Sequence, residues 1–254
     1  MTLHAEDLDF LGGDLVRPEC LLATRAGKLY AADWRGGVTK IAPDGQQSLI
    51  LASSGPEAGP VPIKPNGIAM EPDGSFLLAN LGDAGGLWRL RGRSPQKMTG
   101  VGFASEGMDN CVPYNRMPDS YDPACAWVFD GVENERFGDY GLALGGAGGL
   151  EIDRYELGLG TPPNTYLLAT TEPFTDNYPH VVEEIMFNLP GTGGTQDFQV
   201  RGDMTLVTSP SGGAVFSSGS IAWGQALPVN GCDNDCARIT ANVLRRFSGD
   251  GPLG

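Results

Sequence analysis

The residues best suited to chemistry lie in one short stretch, 145–155, whose sequence is GGAGGLEIDRY. Four glycines in five residues give a backbone that can turn tightly or let another group approach closely. On a strand following them, Glu151 and Asp153 would share one face and Ile152 would take the other. Two carboxylates beside such a turn could do general-base work or hold a cation. The alternative is an acidic surface turn with Arg154 as its ion-pair partner.

Two other groups of side chains could take part in catalysis, but the sequence around each of them favours a structural role. Ser217, Ser218 and Ser220 are close in sequence, but no G-x-S-x-G elbow surrounds them, which favours hydroxyls in a tight turn. His180 follows Pro179 and precedes an apolar run, a position typical of a surface or capping histidine.

Composition narrows the class of protein. The chain has 254 residues, 41% hydrophobic and 19% charged, enough to bury a globular core. A net charge of −14 argues against nucleic-acid binding, because phosphate contacts need clustered Lys and Arg. The sequence contains no run of about 18 apolar residues, the length that would indicate a membrane span. The acidic start, MTLHAEDLD, lacks the apolar core of a signal peptide, so we expect a cytoplasmic protein.

Charge is shared unevenly along the chain. All four lysines fall within residues 1–98, whereas residues 99–254 hold 20 acidic and 7 basic side chains. This shift predicts two domains, 1–98 and 99–254.

The first of these segments contains an internal repeat. Residues 18–33 align with residues 65–80 at an offset of 47, and a glycine pair follows each copy, at 36–37 and 85–86. Apolar runs at 38–41 and 87–90 come next. Short strands, glycine turns and this period predict an all-β segment of two propeller-like blades, an incomplete propeller. Open sheet edges would favour a homo-oligomer.

The motifs RPE (17–19), LYAADWRGGV (29–38) and PNGIAMEPDGSFLLAN (65–80) resemble the SMP-30/gluconolactonase family of six-bladed propellers. In that family an early glutamate, with later Asn and Asp residues, binds a divalent cation. The resemblance therefore implies a lactonase that uses calcium or another divalent cation. Glu19 matches the family's early glutamate, and Asn66 occupies the equivalent position in the next repeat. The blades that hold the family's catalytic aspartate are missing.

The pattern of apolar residues in the second segment predicts an α/β domain. Apolar runs at 126–129 and 166–169 predict buried strands, and 203–208 with 214–217 predicts a hairpin. The run 181–187 is ambiguous between helix and strand. A stripe of Ile239, Val243 and Phe247 predicts a closing helix, capped by Asp233 or Asp235.

This segment resembles the C-terminal region of the N,N-dimethylformamidase large (beta) subunit, through WVFDGV (127–132), FGDYGLALGGAGGLEIDRYELGLGTPP (137–163) and ITANVLRRF (239–247). The resemblance implies a glutamine-amidotransferase-like α/β layer and hydrolysis of small linear amides. It also implies a mononuclear iron held by tyrosines and a glutamate that lie upstream of the part present here. Glu151, in GLEIDR, is the implied general base, with Asp153 beside it.

Three functional hypotheses therefore remain open. The chain is a dimethylformamidase-like amide hydrolase acting on a small molecule, a metal-dependent lactonase centred near Glu19, or a fused or truncated product without catalysis. The amidase hypothesis leads as a named activity because its match is longer.

Overall fold

The computed structural model describes residues 11–52, 63–80, 94–182, 185–186, 189–209 and 212–249. Contacts within the chain divide it into two compact units, Met1–Gly86 and Leu87–Gly254. The boundary predicted between residues 98 and 99 lies further along the chain and stays a prediction.

The first unit is built from antiparallel strands. One sheet has the order β1-β2-β3-β4, and β5 pairs with β6 in a separate hairpin. The strands are β1 Leu21–Ala23, β2 Leu29–Asp33, β3 Gly37–Ile41, β4 Gln47–Leu51, β5 Pro65–Met70 and β6 Phe76–Asn80.

Both copies of the 47-residue repeat form hairpins, β1–β2 and β5–β6. Each turns at a glycine with positive φ, 73° at Gly27 and 88° at Gly74, which a residue with a Cβ would adopt only with strain. The repeat in the sequence therefore corresponds to a repeat in the structure. Among the described strands no closed barrel forms, and the propeller stays a prediction. The glycine pair 85–86 and the predicted strand 87–90 lie outside the described residues.

The second unit contains a five-stranded sheet of order β15-β14-β11-β8-β9 and the pairs β10–β7 and β12–β13. Its strands are β7 Gly102–Val112, β8 Tyr114–Arg116, β9 Arg136–Phe137, β10 Gly148–Arg154, β11 Thr165–Thr171, β12 Val181–Val182, β13 Ile185–Met186, β14 Asp203–Thr208 and β15 Ala214–Ser217. Its α-helices are α1 Gln96–Thr99, α2 Trp223–Ala226 and α3 Asp235–Phe247. Short 3-10 turns cover Pro118–Tyr121, Ala126–Phe129, Leu157–Leu159 and Val229–Cys232.

The prediction of an α/β layer for the second segment overstates its helix content. Strands dominate, the strand pairs that the structure describes are antiparallel, and α3 is the one described helix longer than four residues. The amidotransferase-like layering is not confirmed. No helix in the described part of the chain is both long and apolar enough to cross a bilayer.

Individual strand predictions fared differently. The run 166–169 lies within β11, and the predicted hairpin is β14 paired with β15. The ambiguous run forms two short strands where it is described. The run 126–129 is a 3-10 turn instead, because Asp122 accepts the N–H of Ala124 at 2.8 Å and its carbonyl accepts that of Ala126 at 2.8 Å. Local turn chemistry outweighed the apolar composition.

Helix α3 closes the main core as its apolar stripe predicts. Ile239 and Val243 are buried there, and Phe247 packs against the edge of the same cluster. The predicted caps are wrong: Asn234 is the N-cap, and its Oδ1 accepts the N–H of Ala237 at 2.9 Å. The two N–H groups of its Nδ2 are shared among three carbonyl oxygens of the preceding segment, those of Ala226, Leu227 and Val229.

Because Asn234 serves both the helix and the segment before it, Asn234→Ala is expected to lower the free energy of unfolding by about 2 kcal/mol, the upper end for loss of an N-cap. Urea denaturation followed by circular dichroism measures the loss. A change below about 0.5 kcal/mol, typical of a surface substitution, would contradict this role.

Candidate functional site

Strand β10 carries the candidate carboxylates and is held on both sides. It pairs with β7 on one side. On the other side the N–H of Asp153 donates to the carbonyl of Gly219 at 3.0 Å, and the N–H of Ile221 donates to that of Glu151 at 3.1 Å. The segment 219–221 therefore extends the sheet at the level of these two residues.

The face alternation predicted from sequence is confirmed. Ile152 is 1% exposed and belongs to a buried apolar cluster, whereas Glu151 is exposed. Glu151 and Asp153 both line a cleft of about 430 Å³, whose other wall is the segment 216–221. Phe216 and Ile221 supply apolar surface there, so the cleft combines two carboxylates with a small apolar wall.

A third carboxylate lies close to the cleft. Glu106 of β7 stands directly opposite Glu151 in the antiparallel register. Side chains opposite each other on adjacent strands are near neighbours, so like charges here repel. The resulting negative potential disfavours anionic ligands and suits a neutral molecule or a cationic product.

The three serines lie at this cleft, yet their hydroxyl groups serve the backbone. Ser217 donates to the carbonyl of Thr99 at 2.9 Å, and Ser218 to that of Ser220 at 3.3 Å. The Ser220 oxygen accepts the N–H of Gly149 at 2.8 Å and donates to its carbonyl at 2.9 Å. This agrees with the interpretation of hydroxyls that stabilise a tight turn.

Arg154 is not the surface partner of Asp153. It is 5% exposed, and its Nη1 donates to the carbonyl of Gln199 at 2.8 Å. The same nitrogen lies 3.2 Å from His180 Nε2, and His180 Nδ1 lies 3.0 Å from Asp197. Because a guanidinium only donates, His180 Nε2 accepts and its Nδ1 carries the proton toward Asp197. His180 is thus part of a half-buried polar network, and its prediction as a surface or capping residue is wrong.

Asp203 supports the site, although its sequence context does not single it out. Asp203 is fully buried at the start of β14 and accepts hydrogen bonds from the Tyr155 N–H at 2.9 Å and the Thr170 hydroxyl at 2.7 Å. Arg201 Nε lies 3.1 Å from it. Burial raises the pKa of Asp203, and Arg201 only partly offsets that effect. An Asp beginning an apolar strand was the only signal in the sequence.

The residues predicted to bind a metal through the propeller resemblance lie in the first unit. The Glu19 carboxylate accepts a hydrogen bond from Arg17. Asn66 lies in β5, and its Oδ1 is buried without a hydrogen-bond partner among the residues that the structure describes. Their role as cation ligands stays a prediction.

The iron implied by the amidase resemblance does not fit the described residues of the second unit. Within the described ranges, no group of three or more His, Cys, Asp or Glu side chains could hold a metal ion. The most buried tyrosines are also committed elsewhere. Tyr114 donates to the carbonyl of Ser218 at 2.9 Å and Tyr178 to that of Asn110 at 2.6 Å. Burial raises the pKa of both phenols, to about 12 at Tyr178, which disfavours the phenolate that iron needs.

Comparison with known proteins gives a consistent family. A family model described as N,N-dimethylformamidase beta subunit-like, C-terminal matches residues 70–235. The chain is 43% identical to the N,N-dimethylformamidase beta subunit of Paracoccus aminophilus over 182 residues, which cover 71% of this chain and 24% of that protein. The corresponding protein of Alcaligenes sp is 41% identical over the same length and shares. The chain thus spans about a quarter of the length of these relatives.

The family match begins at residue 70, whereas the resemblance in sequence motifs begins near residue 99. It therefore enters the segment that had been compared with the SMP-30/gluconolactonase family. These matches lend no support to that comparison.

Proposed function

Because the chain belongs to the N,N-dimethylformamidase beta subunit-like, C-terminal family, we propose that it serves the hydrolysis of small linear amides, with Glu151 as the general base. One observation carries the proposal. Glu151 and Asp153 meet in a single cleft of about 430 Å³, whose facing wall includes the apolar side chains of Phe216 and Ile221. Both curated relatives are named for the hydrolysis of dimethylformamide, a small neutral amide.

The proposed chemistry is general-base hydrolysis. The Glu151 carboxylate takes a proton from water as the water oxygen bonds to the amide carbon. When the C–N bond breaks, Glu151 returns that proton to the leaving nitrogen, so that formate and dimethylamine would form from dimethylformamide. The negative potential of the cleft does not oppose this substrate, which is neutral; it attracts the product amine once that is a cation and repels the product formate. No step is assigned to iron, because the described residues do not form its ligand set.

Two other hypotheses remain from the sequence. The lactonase, with a calcium or other divalent ion at Glu19 and Asn66, is not favoured, because the matched family is an amidase family. A non-catalytic role stays a hypothesis from the sequence. An assay decides between them.

Purified chain is incubated with N,N-dimethylformamide, with formamide and with gluconolactone, and its metal content is measured. Release of dimethylamine by the parent protein, and its loss in Glu151→Gln, is the expected result. Lactone hydrolysis without amide hydrolysis would replace the proposal by the lactonase. If none of the three substrates is hydrolysed, whatever the measured metal content, the proposal is overturned in favour of a non-catalytic role.

A further inference from the structure

The ladder between β7 and β10 is interrupted immediately before Glu151. Gly148 pairs with Val112 and Leu150 pairs with Gly107, so β7 carries extra residues at this point. Such a bulge removes regular hydrogen-bond partners from the opposite strand. The backbone of Leu150 therefore needs another way to satisfy its N–H group.

The Tyr178 hydroxyl fills this break. It accepts the N–H of Leu150 at 3.0 Å and donates to the carbonyl of Asn110 at 2.6 Å. The same hydroxyl thus accepts a hydrogen bond from β10 and donates one to β7. The hydroxyl replaces a missing rung of the ladder.

Leu150 has an unusual backbone conformation at this position. Its φ is +63°, in the left-handed region that a branched side chain adopts at a cost. Such conformations persist only where the surrounding structure holds them, and they are common beside functional groups. The next residue is Glu151.

The Tyr178 ring is itself fixed in place. It is fully buried and packs on Phe174 with ring centroids 4.3 Å apart. Opposite Leu150, Gly107 leaves room for the ring: a Cβ there would lie 2.5 Å from Tyr178 Cδ2. A rigid ring and a short hydroxyl contact make Tyr178 suited to hold a strained peptide.

We propose that Tyr178 is the positioning residue for Glu151: its hydroxyl holds Leu150 in the left-handed conformation and so directs the Glu151 side chain into the cleft. The proposal rests on the proposed function, in which Glu151 is the general base. The other side of β10 is fixed independently, since Ser220 accepts the N–H of Gly149 and Ile221 donates to Glu151. Tyr178 supplies the hold on the β7 side.

The test is Tyr178→Phe, which keeps the ring and removes the hydroxyl. We expect kcat to fall about tenfold with KM within about twofold, and amide exchange at Leu150 to become about tenfold faster, because the Leu150 N–H loses its hydrogen bond to the phenol. Tyr166→Phe, at a half-buried phenol of β11, is the matched control and should change neither quantity.

Rescue separates positioning from general packing. In the double variant Tyr178→Phe/Leu150→Gly, glycine adopts positive φ without strain, so most of the lost kcat should return. Loss of kcat in Tyr178→Phe without such rescue would overturn the proposal. If the parent protein has no activity, the proposed function fails. Independently of activity, an unchanged rate of amide exchange at Leu150 in Tyr178→Phe would overturn the claim that Tyr178 holds Leu150.

Discussion

Glu151→Gln is expected to lower kcat for amide hydrolysis by about 10²–10⁴-fold, the usual contribution of a general base. Glutamine keeps the shape of the side chain but cannot accept the proton from water. Because Glu151 is exposed on the cleft face of β10, the free energy of unfolding should change by less than about 0.5 kcal/mol. Steady-state kinetics and urea denaturation of the same preparation measure both.

Asp153→Asn is the matched comparison, because it removes a carboxylate from the same cleft. It should cost less than Glu151→Gln if Asp153 contributes only to the potential of the cleft. Equal losses for the two variants would make them joint members of the catalytic machinery. Activity unchanged in Glu151→Gln would remove Glu151 from the mechanism.

Parts of this site were predictable because they depend on short-range periodicity. The two-residue repeat of a strand placed Glu151 and Asp153 on one face and Ile152 in the core, as the structure has them. The 47-residue offset likewise predicted repeated short strands with glycine turns, and the two copies form equivalent hairpins. Such patterns need no knowledge of distant contacts.

Other features depend on residues far apart in sequence, which periodicity cannot pair. Tyr178 reaches Leu150 across 28 positions, and Asp203 reaches Tyr155 across 48. Arg154 looked like a surface partner of Asp153 because the two are adjacent, yet a strand places adjacent side chains on opposite faces. The run 126–129 failed for a local reason, since a short apolar run fits a buried turn as well as a strand.

Asp203→Ala is expected to lower the free energy of unfolding by about 3 kcal/mol. It would leave the Tyr155 N–H and the Thr170 hydroxyl without their acceptor and Arg201 without its carboxylate partner. The loss stays at the low end for a broken buried pair because the Arg201 side chain is 24% exposed and can reach water. The urea midpoint at unchanged m value measures this loss.

The pH dependence of this loss has a definite sign. Burial raises the pKa of folded Asp203, so the folded state holds that proton more tightly than the unfolded chain does. The stability that Asp203 contributes is then fully present below its unfolded pKa, about 3.9, and decreases as pH rises through the folded value. The cost of Asp203→Ala should therefore be greatest in acid and smaller at neutral pH. A cost that grows with pH would mean that Arg201 outweighs burial and lowers the pKa.

Asp139→Ala is the control for Asp203→Ala. Asp139 pairs with Arg136 at 2.9 Å, but its side chain is 57% exposed. Exposed ion pairs contribute about 0–1 kcal/mol because water screens them, so this variant should remain close to the parent in stability. Similar losses for the two aspartates would show that the Asp203 carboxylate contributes no more than a surface charge. A much larger loss at Asp203 would identify it as the group that ties β14 to the end of β10, and so to the strand that carries Glu151.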